Sequence, residues 1–303
     1  MPSTSYSLAK ALSITDYMPA FRQSETLQLW DWQKIFTQKS ISRATEQVFS
    51  WNGLPVARRT GELEPIYYAD ISENAATTFT VRKYTLSTMF SHEVLKDNQH
   101  LPDLMKEAGS SAGESQSYIR AESLASVFNN AFTAGAYVGY DSAALCSTHT
   151  MKDGGSYDNA LTAASLTFDN LWLAINHFET APVSHSGLYL KDKVKYLLYH
   201  PSKEKEVRSL LRTTEGQPGT ANNNYNSLRD YKLEAVPCRF LSSTTAWFIL
   251  GSKAKKDLCF LSREGVATAT EDDFDRMGTK FRSHQRYAFG FRDFIWLAGN
   301  PGA

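Results

Sequence analysis

Cys146 and His149 lie three residues apart, with Asp153 following them, and this is the group best suited to nucleophilic or metal chemistry. A cysteine beside a histidine can act as a nucleophile with its base, and both residue types bind zinc. Short spacing along the chain does not establish contact in space, so a structural loop cysteine is the favoured interpretation. A cytosolic Cys/His hydrolase stays open as an alternative.

Two further groups of polar residues are incomplete as catalytic or metal sites. His92 and Glu93 begin like the HExxH helix of a metalloprotease, but Lys96 stands where the second histidine would be. The acidic run 271–275 lacks the spaced oxygen ligands and glycine of an EF-hand loop. Acids in the first turn of a helix capped by Thr270 are the favoured interpretation. The sequence therefore predicts no enzyme activity, no metal and no cofactor.

Composition excludes several classes of protein. The 303 residues carry 32 basic and 32 acidic side chains, so the net charge of zero argues against a dedicated nucleic-acid binder. Three scattered cysteines are too few for a disulfide framework, which favours a reducing cytosol. The sequence shows no secretory signal pattern and no apolar run long enough for a membrane span. We expect a folded chain without membrane contact.

The N-terminal half combines polar and strand-like segments. Residues 1–25 are polar and predict an extended arm. Apolar residues between Leu29 and Phe36 at helical spacing predict a short helix from about Glu25 to Gln38. Residues 51–82 are punctuated by glycine and proline before a β-rich run, which predicts a two-stranded excursion of roughly 50 Å. An isolated hairpin of this kind is marginal in water and needs a partner surface.

The remaining segments alternate between helices and strands. An apolar stripe predicts a helix over about 102–133, which Gly109 and Gly113 are expected to break or bend. Ser165–Thr180 predicts a second helix with Thr167 as its cap. Strands are expected between these helices and through the C-terminal part of the chain. The fold class is therefore α+β, without internal repeats.

The order of these segments resembles one family. The stretches that carry the resemblance are TVRKYTLSTMFSHEVLKDN (80–98), SVFNNAFTAGAYVGYDSAALCSTHT (126–150), YLLYHPSKEKEVRSLL (196–211) and VPCRFLSSTTAWFILGS (236–252). Together they resemble tailed-bacteriophage major capsid proteins of the Hong Kong 97-type fold, and within that family they are most similar to Mu-like major head subunits. Each stretch alone is weak evidence for the family, whereas the order of all four over about residues 30–300 is more specific for it.

The resemblance implies a division of the chain into four parts. These are an N-terminal arm (1–50), an E-loop hairpin (51–82), a P-domain with a spine helix (83–155 and 258–292) and an inserted A-domain (156–257 and 293–303). A polar arm and an unsupported hairpin are awkward in a monomer, but neighbouring subunits of a shell would bury both. The residues and the resemblance therefore agree on these two features.

The function implied by the resemblance is structural. The chain is expected to assemble as hexamers and pentamers into an icosahedral head shell around double-stranded phage DNA, with non-specific contact to that DNA. A separate scaffolding protein, a portal and a decoration protein are the further partners implied. Assembly would take place in the bacterial host cytoplasm and the product would be the virion capsid. An encapsulin-like nanocompartment shell protein is the main alternative.

Two groups of residues are expected to act in assembly. On the E-loop, Arg58 and Arg59 on one side and Glu62 and Glu64 on the other are expected to form ion pairs between subunits. Residues 51–81 contain no lysine, so the covalent cross-linking found in some members of the family is not expected.

The second group belongs to a polar loop at 213–230. Gly216 and Pro218 interrupt regular structure, and Asn222, Asn223 and Asn224 favour tight turns. By resemblance this loop is the A-domain tip, which we expect at the capsomer axis.

Overall fold

A computed structural model describes residues 15–50, 53–69, 76–97, 101–151, 155–181, 184, 187–212 and 226–303. The helices are α1 (15–25), α2 (Trp32–Ile35), α3 (His92–Asp97), α4 (Leu101–Asn129), α5 (Phe168–Thr180) and α6 (Glu204–Arg212). The strands are β1 (Thr37–Ser40), β2 (Thr45–Val48), β3 (Thr77–Thr80), β4 (Arg82–Ser91), β5 (Thr148–Thr150), β6 (Ser156–Asp158), β7 (Val194–Tyr199), β8 (Glu234–Pro237), β9 (Trp247–Gly251), β10 (Leu258–Asp273), β11 (Gly278–Phe291) and β12 (Leu297–Asn300).

The first four-stranded sheet is built around a long hairpin. Its strand order is β1-β10-β11-β4, and β10 pairs antiparallel with β11 from Leu258 opposite Phe291 to Asp273 opposite Gly278. β4 pairs antiparallel with the other side of β11, and β1 lies parallel to β10. Side chains alternate between the two faces of this sheet. One face packs against the helix α4, and the other face points away from that helix.

The acidic run predicted to start a helix ends β10 instead. Thr270 is paired with Phe281 in the ladder, and the turn 274–277 follows. One carboxylate oxygen of Asp273 accepts the backbone N–H of Asp275 at 3.1 Å and that of Arg276 at 3.3 Å. Asparagine and aspartate often close turns in this way, so the carboxylates stabilise a hairpin turn here rather than a helix terminus.

The helix expected over about 102–133 is present as α4. Ala121, Leu124, Ala125 and Phe128 are buried on it at helical spacing. One face of the sheet is joined to the helix by polar contacts, in which the Gln116 amide donates to the Ser283 hydroxyl at 3.0 Å. The apolar stripe and these contacts hold α4 along the long hairpin.

The two glycines of α4 do not break it. A Cβ on Gly109 would lie 2.4 Å from the Tyr17 carbonyl oxygen, and one on Gly113 would lie 2.4 Å from the Phe21 carbonyl oxygen. Tyr17 and Phe21 belong to α1, so the glycines allow two helices to pack in backbone contact. The expectation of an extended arm over residues 1–25 is therefore wrong for 15–25, which are helical.

The helix predicted from Glu25 to Gln38 is also wrong. In the second half of the predicted segment only the four residues of α2 are helical, and β1 begins shortly after them. The aromatic residues there make separate long-range contacts: the Trp30 indole donates to the Ala121 carbonyl at 3.2 Å, and Phe36 packs edge-on against Phe128 with ring centroids 6.0 Å apart. Tertiary anchoring, not helical periodicity, sets their spacing.

The second four-stranded sheet has the order β12-β9-β7-β8 and is buried on both faces. Leu197 lies opposite Ile249 and packs with α5 and α6, whereas Leu198 lies opposite Phe248 and packs toward α4. The α5 cap is as predicted, because the Thr167 hydroxyl accepts the backbone N–H of a residue in the first turn at 3.3 Å. This sheet therefore lies between two cores, one shared with α4 and the other shared with α5 and α6.

A short ladder of β2 and β3 covers the first sheet on the face opposite α4. Phe79 of β3 packs with Leu261 and Ala288 of that sheet. Residues 53–69, between these two strands, contain neither helix nor strand. The long paired hairpin predicted for 51–82 is therefore not found in the part described; regular pairing is limited to four residue pairs at the base. None of the helices described is long and apolar enough to cross a membrane.

Candidate assembly surface

The segment 53–69, called the excursion below, exposes apolar side chains that the other described residues do not cover. Ile66 is 71% exposed and Tyr68 is 86% exposed. The other large exposed apolar residues of the excursion are Leu54, Val56, Leu63 and Tyr67. Exposed apolar residues scattered singly are ordinary, but a contiguous group marks an interaction surface.

The charged residues predicted to act in assembly lie on the same excursion. The Arg58 guanidinium lies 4.1 Å from the centre of the Tyr67 ring, a cation–π contact. Glu64 accepts the backbone N–H of Gly61 at 2.6 Å and closes a turn. All four predicted residues, Arg58, Arg59, Glu62 and Glu64, are exposed.

The four charged side chains are not brought together within one chain. Among the residues described, no ion pair joins Arg58 or Arg59 to Glu62 or Glu64. Their pairing across a subunit contact stays a prediction.

The second predicted group, Gly216, Pro218, Asn222, Asn223 and Asn224, lies outside the described residues. The two ends of that segment are described, and they meet. α6 ends at Arg212, and the buried Asn226 side chain donates to the Leu210 carbonyl at 2.8 Å. The Asn226 side chain also accepts the Leu228 backbone N–H at 3.1 Å. The loop therefore starts and ends at one fixed point of the body.

The tip of the β10–β11 hairpin is an exposed apolar site that the sequence analysis missed. Phe274 is 95% exposed, and Met277 is also exposed, with a left-handed backbone (φ 46°). The acidic residues beside the tip had favoured a helix start. The signal that could have revealed the hairpin is a short run rich in Asp and ending in Gly278, which lies between two long alternating runs.

His149 is buried in a structural role. Its Nδ1 is hydrogen-bonded to the Asp141 carboxylate at 2.7 Å, and its Nε2 lies 3.4 Å from the Leu145 carbonyl oxygen. The imidazole stacks on the Phe294 ring with centroids 3.4 Å apart. Burial raises the pKa of Asp141, but the hydrogen bond and charge of His149 bring that pKa below its ordinary value. The ring is fixed on both nitrogens and is not exposed to a substrate.

Cys146 is not an activated nucleophile. Burial raises the pKa of its thiol well above the ordinary value, whereas a reactive cysteine needs a lowered pKa. Cys238 and Cys259 are also buried, free thiols. The geometry gives no support to the Cys/His hydrolase. Within the described residues no group of three or more His, Cys, Asp or Glu side chains could hold a metal ion.

A buried polar cluster fixes the point where the excursion leaves the body. Ser50 donates to the Asp293 carboxylate at 2.5 Å, and the Arg292 guanidinium pairs with Asp257, its Nε at 3.1 Å. Burial and the nearby Asp293 charge raise the pKa of Asp257 to about 7, against the lowering effect of Arg292. The cluster joins the end of β2 to the starts of β10 and of the β11–β12 connection.

Comparison with known proteins identifies a family and a fold for the chain. The sequence model of the family described as phage capsid protein matches residues 74–300. The capsid of cyanophage P-SCSP1u is similar to this chain with a TM-score of 0.60 at 10% identity, over 91% of this chain and 89% of that one. The capsid of a native GTA particle gives a TM-score of 0.58 at 10% identity, over 89% and 88%.

A virus-like particle from Pyrococcus furiosus has the same fold. Its TM-score is 0.52 at 8% identity, over 94% of this chain and 97% of that one. No curated protein sequence matches the chain. At such low identities the structural likeness defines the fold alone.

Proposed function

The chain belongs to the phage capsid protein family, and from this premise we propose that neighbouring copies bury the excursion 53–69 as they close a head shell. The protein is a structural subunit of that shell and has the Hong Kong 97-type fold. Its place is the capsid of the virion. The encapsulin-like alternative has less support, because the matching family is one of phage capsid proteins.

The observation that carries the proposal is the exposed apolar surface of the excursion. Its exposed residues include Ile66 and Tyr68, and burial of apolar area is the main favourable term in protein association. The short ladder at the base holds the excursion to the body without covering it. A neighbouring copy supplies the missing surface, as it would for the hairpin tip at Phe274.

The end of the loop predicted at 213–230 belongs to the body, because Asn226 and Leu228 are buried and Ser227–Tyr231 form a short 3-10 helix. We further propose that the rest of this loop lies at the axis of hexamers and pentamers. Because its ends are fixed beside Leu210 and Asn226, the loop can project from one point of the A-domain. Glycine and asparagine amides tolerate two slightly different packing arrangements around five-fold and six-fold axes. Replacing residues 216–224 by a short Gly-Ser turn should leave the subunit folded and disturb closure of capsomers. Normal shells from this variant would place the loop on an ordinary surface.

The finer domain division and the remaining partners also belong to this proposal. The parts are the arm (1–50), the E-loop (51–82), the P-domain (83–155 and 258–292) and the A-domain (156–257 and 293–303). A scaffolding protein, a portal, a decoration protein, contact with packaged DNA, assembly in the host cytoplasm and the Mu-like affinity rest on the sequence resemblance.

The decisive experiment compares the wild-type chain with a variant in which a short glycine-rich linker replaces residues 54–68. Both are expressed with and without the cognate scaffolding protein, then studied by light scattering and negative-stain microscopy. We expect shells or capsomers from the wild type, and a folded subunit that does not assemble from the variant. Normal shells from the linker variant would overturn the role of the excursion, and a wild type that stays a compact monomer in every condition would overturn assembly itself.

A further inference from the structure

Six exposed lysines meet where three segments that are distant in the sequence come together. The segments are α2, residues 191–195 at the start of β7, and the turn 252–257 between β9 and β10. We call these side chains the basic patch: Lys34, Lys191, Lys193, Lys195, Lys255 and Lys256. The chain as a whole has no net charge, so six of its 17 lysines in one patch make a local positive excess.

Hydrogen bonds of the turn 252–257 hold the segments of the basic patch together. The Lys253 ammonium donates to the Lys191 carbonyl at 3.0 Å, which joins the turn to the residues before β7. The Thr37 hydroxyl donates to the Lys255 carbonyl, which joins the turn to the residues that follow α2. The side chains of the patch therefore belong to one surface.

Acidic residues compensate the lysines at one end of the basic patch. Glu234 lies between Lys34 and Lys195, with its carboxylate oxygens 3.9 Å and 3.7 Å from their ammonium nitrogens. Asp31 lies 2.8 Å from the Lys34 ammonium. This end of the patch is therefore close to neutral.

The other end of the basic patch keeps most of its charge. Asp192 accepts the Ser252 hydroxyl at 2.8 Å and the Lys253 backbone N–H at 2.9 Å, and the buried Asp257 pairs with Arg292. Four lysines have no ion pair among the described residues: Lys191, Lys193, Lys255 and Lys256.

The composition of the basic patch favours a polyanion over a protein as its partner. The centres of protein interfaces are depleted of lysine and enriched in aromatic residues. None of the large apolar side chains exposed in the described residues belongs to 34–39, 191–195 or 252–257. Lysine binds phosphate as a point charge on a flexible stem and requires no fixed geometry. The phosphodiester backbone of duplex DNA fits such a surface.

The basic patch and the excursion lie on different sides of the first sheet. Trp32 of α2 packs against Phe260 with ring centroids 5.2 Å apart, and Phe260 shares a core with Phe128 of α4. The β2–β3 ladder at the base of the excursion covers the opposite face of that sheet. The patch can therefore contact one partner while the excursion contacts neighbouring copies.

We propose that the basic patch faces the interior of the shell and binds the phosphodiester backbone of the enclosed duplex DNA without reading its sequence. The inference rests on the proposed function and names the surface of the subunit that contacts the DNA. Lysine ammonium groups replace the counterions of the phosphates, so binding weakens as salt is raised. Every copy supplies the same patch, so individually weak contacts are repeated over the inner wall.

The first experiment measures binding of the unassembled subunit to short fluorescent DNA duplexes by anisotropy over a range of salt concentrations. The variant carries Lys191→Gln, Lys193→Gln and Lys255→Gln. We expect its affinity at low salt to fall at least about tenfold, and the slope of log affinity against log salt to decrease by about two to three, because up to three phosphate contacts are lost. Duplexes of unrelated sequence should bind alike.

Two matched variants serve as controls for the loss of charge. Lys83→Gln, Lys96→Gln and Lys205→Gln remove three exposed lysines outside the basic patch, and should keep the wild-type affinity and slope. Lysine-to-arginine changes at 191, 193 and 255 keep the charge and should also keep the binding. Circular dichroism of each subunit checks its folding.

The second experiment determines which side of the shell carries the basic patch. Closed empty shells and dissociated subunits are treated with an amine-reactive group attached to a polymer too large to enter the shell. Mass spectrometry should find Lys191, Lys193 and Lys255 modified in the subunits and protected in the shells. Equal modification in both samples would place the patch outside and overturn the inference.

The remaining outcomes separate the inference from the proposed function. DNA binding by the patch variant with wild-type affinity and salt slope would overturn the inference and leave shell formation intact. A lower shell yield from that variant with unchanged DNA binding would assign the patch to an acidic protein surface, and the inference would be wrong. A wild-type chain that does not assemble contradicts the proposed function, whereas the anisotropy of the unassembled subunit still reports on the patch.

Discussion

The second sheet and the excursion represent two opposite ways of using apolar side chains. In the sheet, Leu197 and Leu198 on β7 alternate between two cores, and each is fully buried within its own subunit. In the excursion, Ile66 and Tyr68 are equally apolar and contact little of their own chain. The difference separates a part of the subunit that is packed within its own chain from a part that, in the proposed function, is completed by neighbouring copies. Damage to each part should therefore appear in a different measurement.

The largest effect should come from the core. Phe248 is buried between β9 and α4, with its ring centroid 5.2 Å from that of Phe128. Phe248→Ala should lower the free energy of unfolding by about 3–5 kcal/mol, because it removes contacts and leaves a cavity. Urea denaturation of the unassembled subunit measures this. Leu63→Ala, on the exposed excursion, is the matched control and should not change the urea midpoint; equal losses would remove the distinction between the two regions.

The stability of the subunit should depend on pH through the buried cluster around Asp257 and not through the excursion. Because the pKa of Asp257 is raised in the folded protein, the native state keeps a proton that the unfolded state has lost. This group therefore stabilises the subunit below about pH 4, and its contribution is lost as pH rises to about 7. In Asp257→Asn the dependence of the urea midpoint on pH over this range should be weaker than in the wild type. Asp275→Asn, at the exposed hairpin turn, should keep the wild-type dependence, and an unchanged profile in Asp257→Asn would contradict the assignment.

Changes on the excursion should alter assembly with little effect on folding. Tyr68→Asp replaces an exposed ring, so the subunit should lose no more than about 0.5 kcal/mol of stability. The shell yield should fall strongly, since a charge would be buried in the subunit contact. Sedimentation of assembly reactions beside urea curves separates the two effects. A fall in stability as large as that of Phe248→Ala would show that Tyr68 belongs to the core.

A smaller effect is expected from the basic residues of the excursion. Reversal of Arg58 and Arg59 to glutamate removes exposed ion pairs worth about 0–1 kcal/mol each, repeated at every contact of a shell. Assembly yield should fall more than subunit solubility. The variant Lys193→Glu with Lys205→Glu, at two exposed positions outside the excursion, is the control. Equal loss of yield and solubility would indicate a role in folding.

No effect of reductant is expected on the release of subunits from particles. The three cysteines are buried free thiols, and residues 51–81 contain no lysine for an isopeptide link. Particles boiled in denaturant should release single chains of 34.0 kDa with or without reductant. Ladders of linked subunits on a denaturing gel would contradict this.

Periodic segments with local caps could be predicted from the sequence. The apolar stripe of α4 and the Thr167 cap of α5 are determined by neighbours three and four residues away, and both are present. The alternation around Phe281 likewise predicts the strand that became β11. Such features need only local information.

Features determined by distant contacts could not be predicted. α1 has no strong apolar stripe of its own and is held by close packing on Gly109 and Gly113 of α4. The spacing of Trp30 and Phe36 imitates a helix, although each contacts α4 separately. Glycine and proline punctuation predicted an irregular excursion from the body, but not the lack of regular pairing over residues 53–69.

The short passage from β3 to β4 has a mechanical consequence. Only Val81 separates the two strands, and β4 is held to β11 by ten consecutive residue pairs. When a neighbour pulls on the excursion along the direction of β4, the force is shared by the hydrogen bonds of all ten pairs. These hydrogen bonds must therefore break together rather than one after another. At the N-terminal end of the excursion, the Ser50–Asp293 hydrogen bond lies between the excursion and β2, so it bears the force before β2 does. Tension within a pressurised wall would therefore be carried into the most extensively paired strands of the subunit.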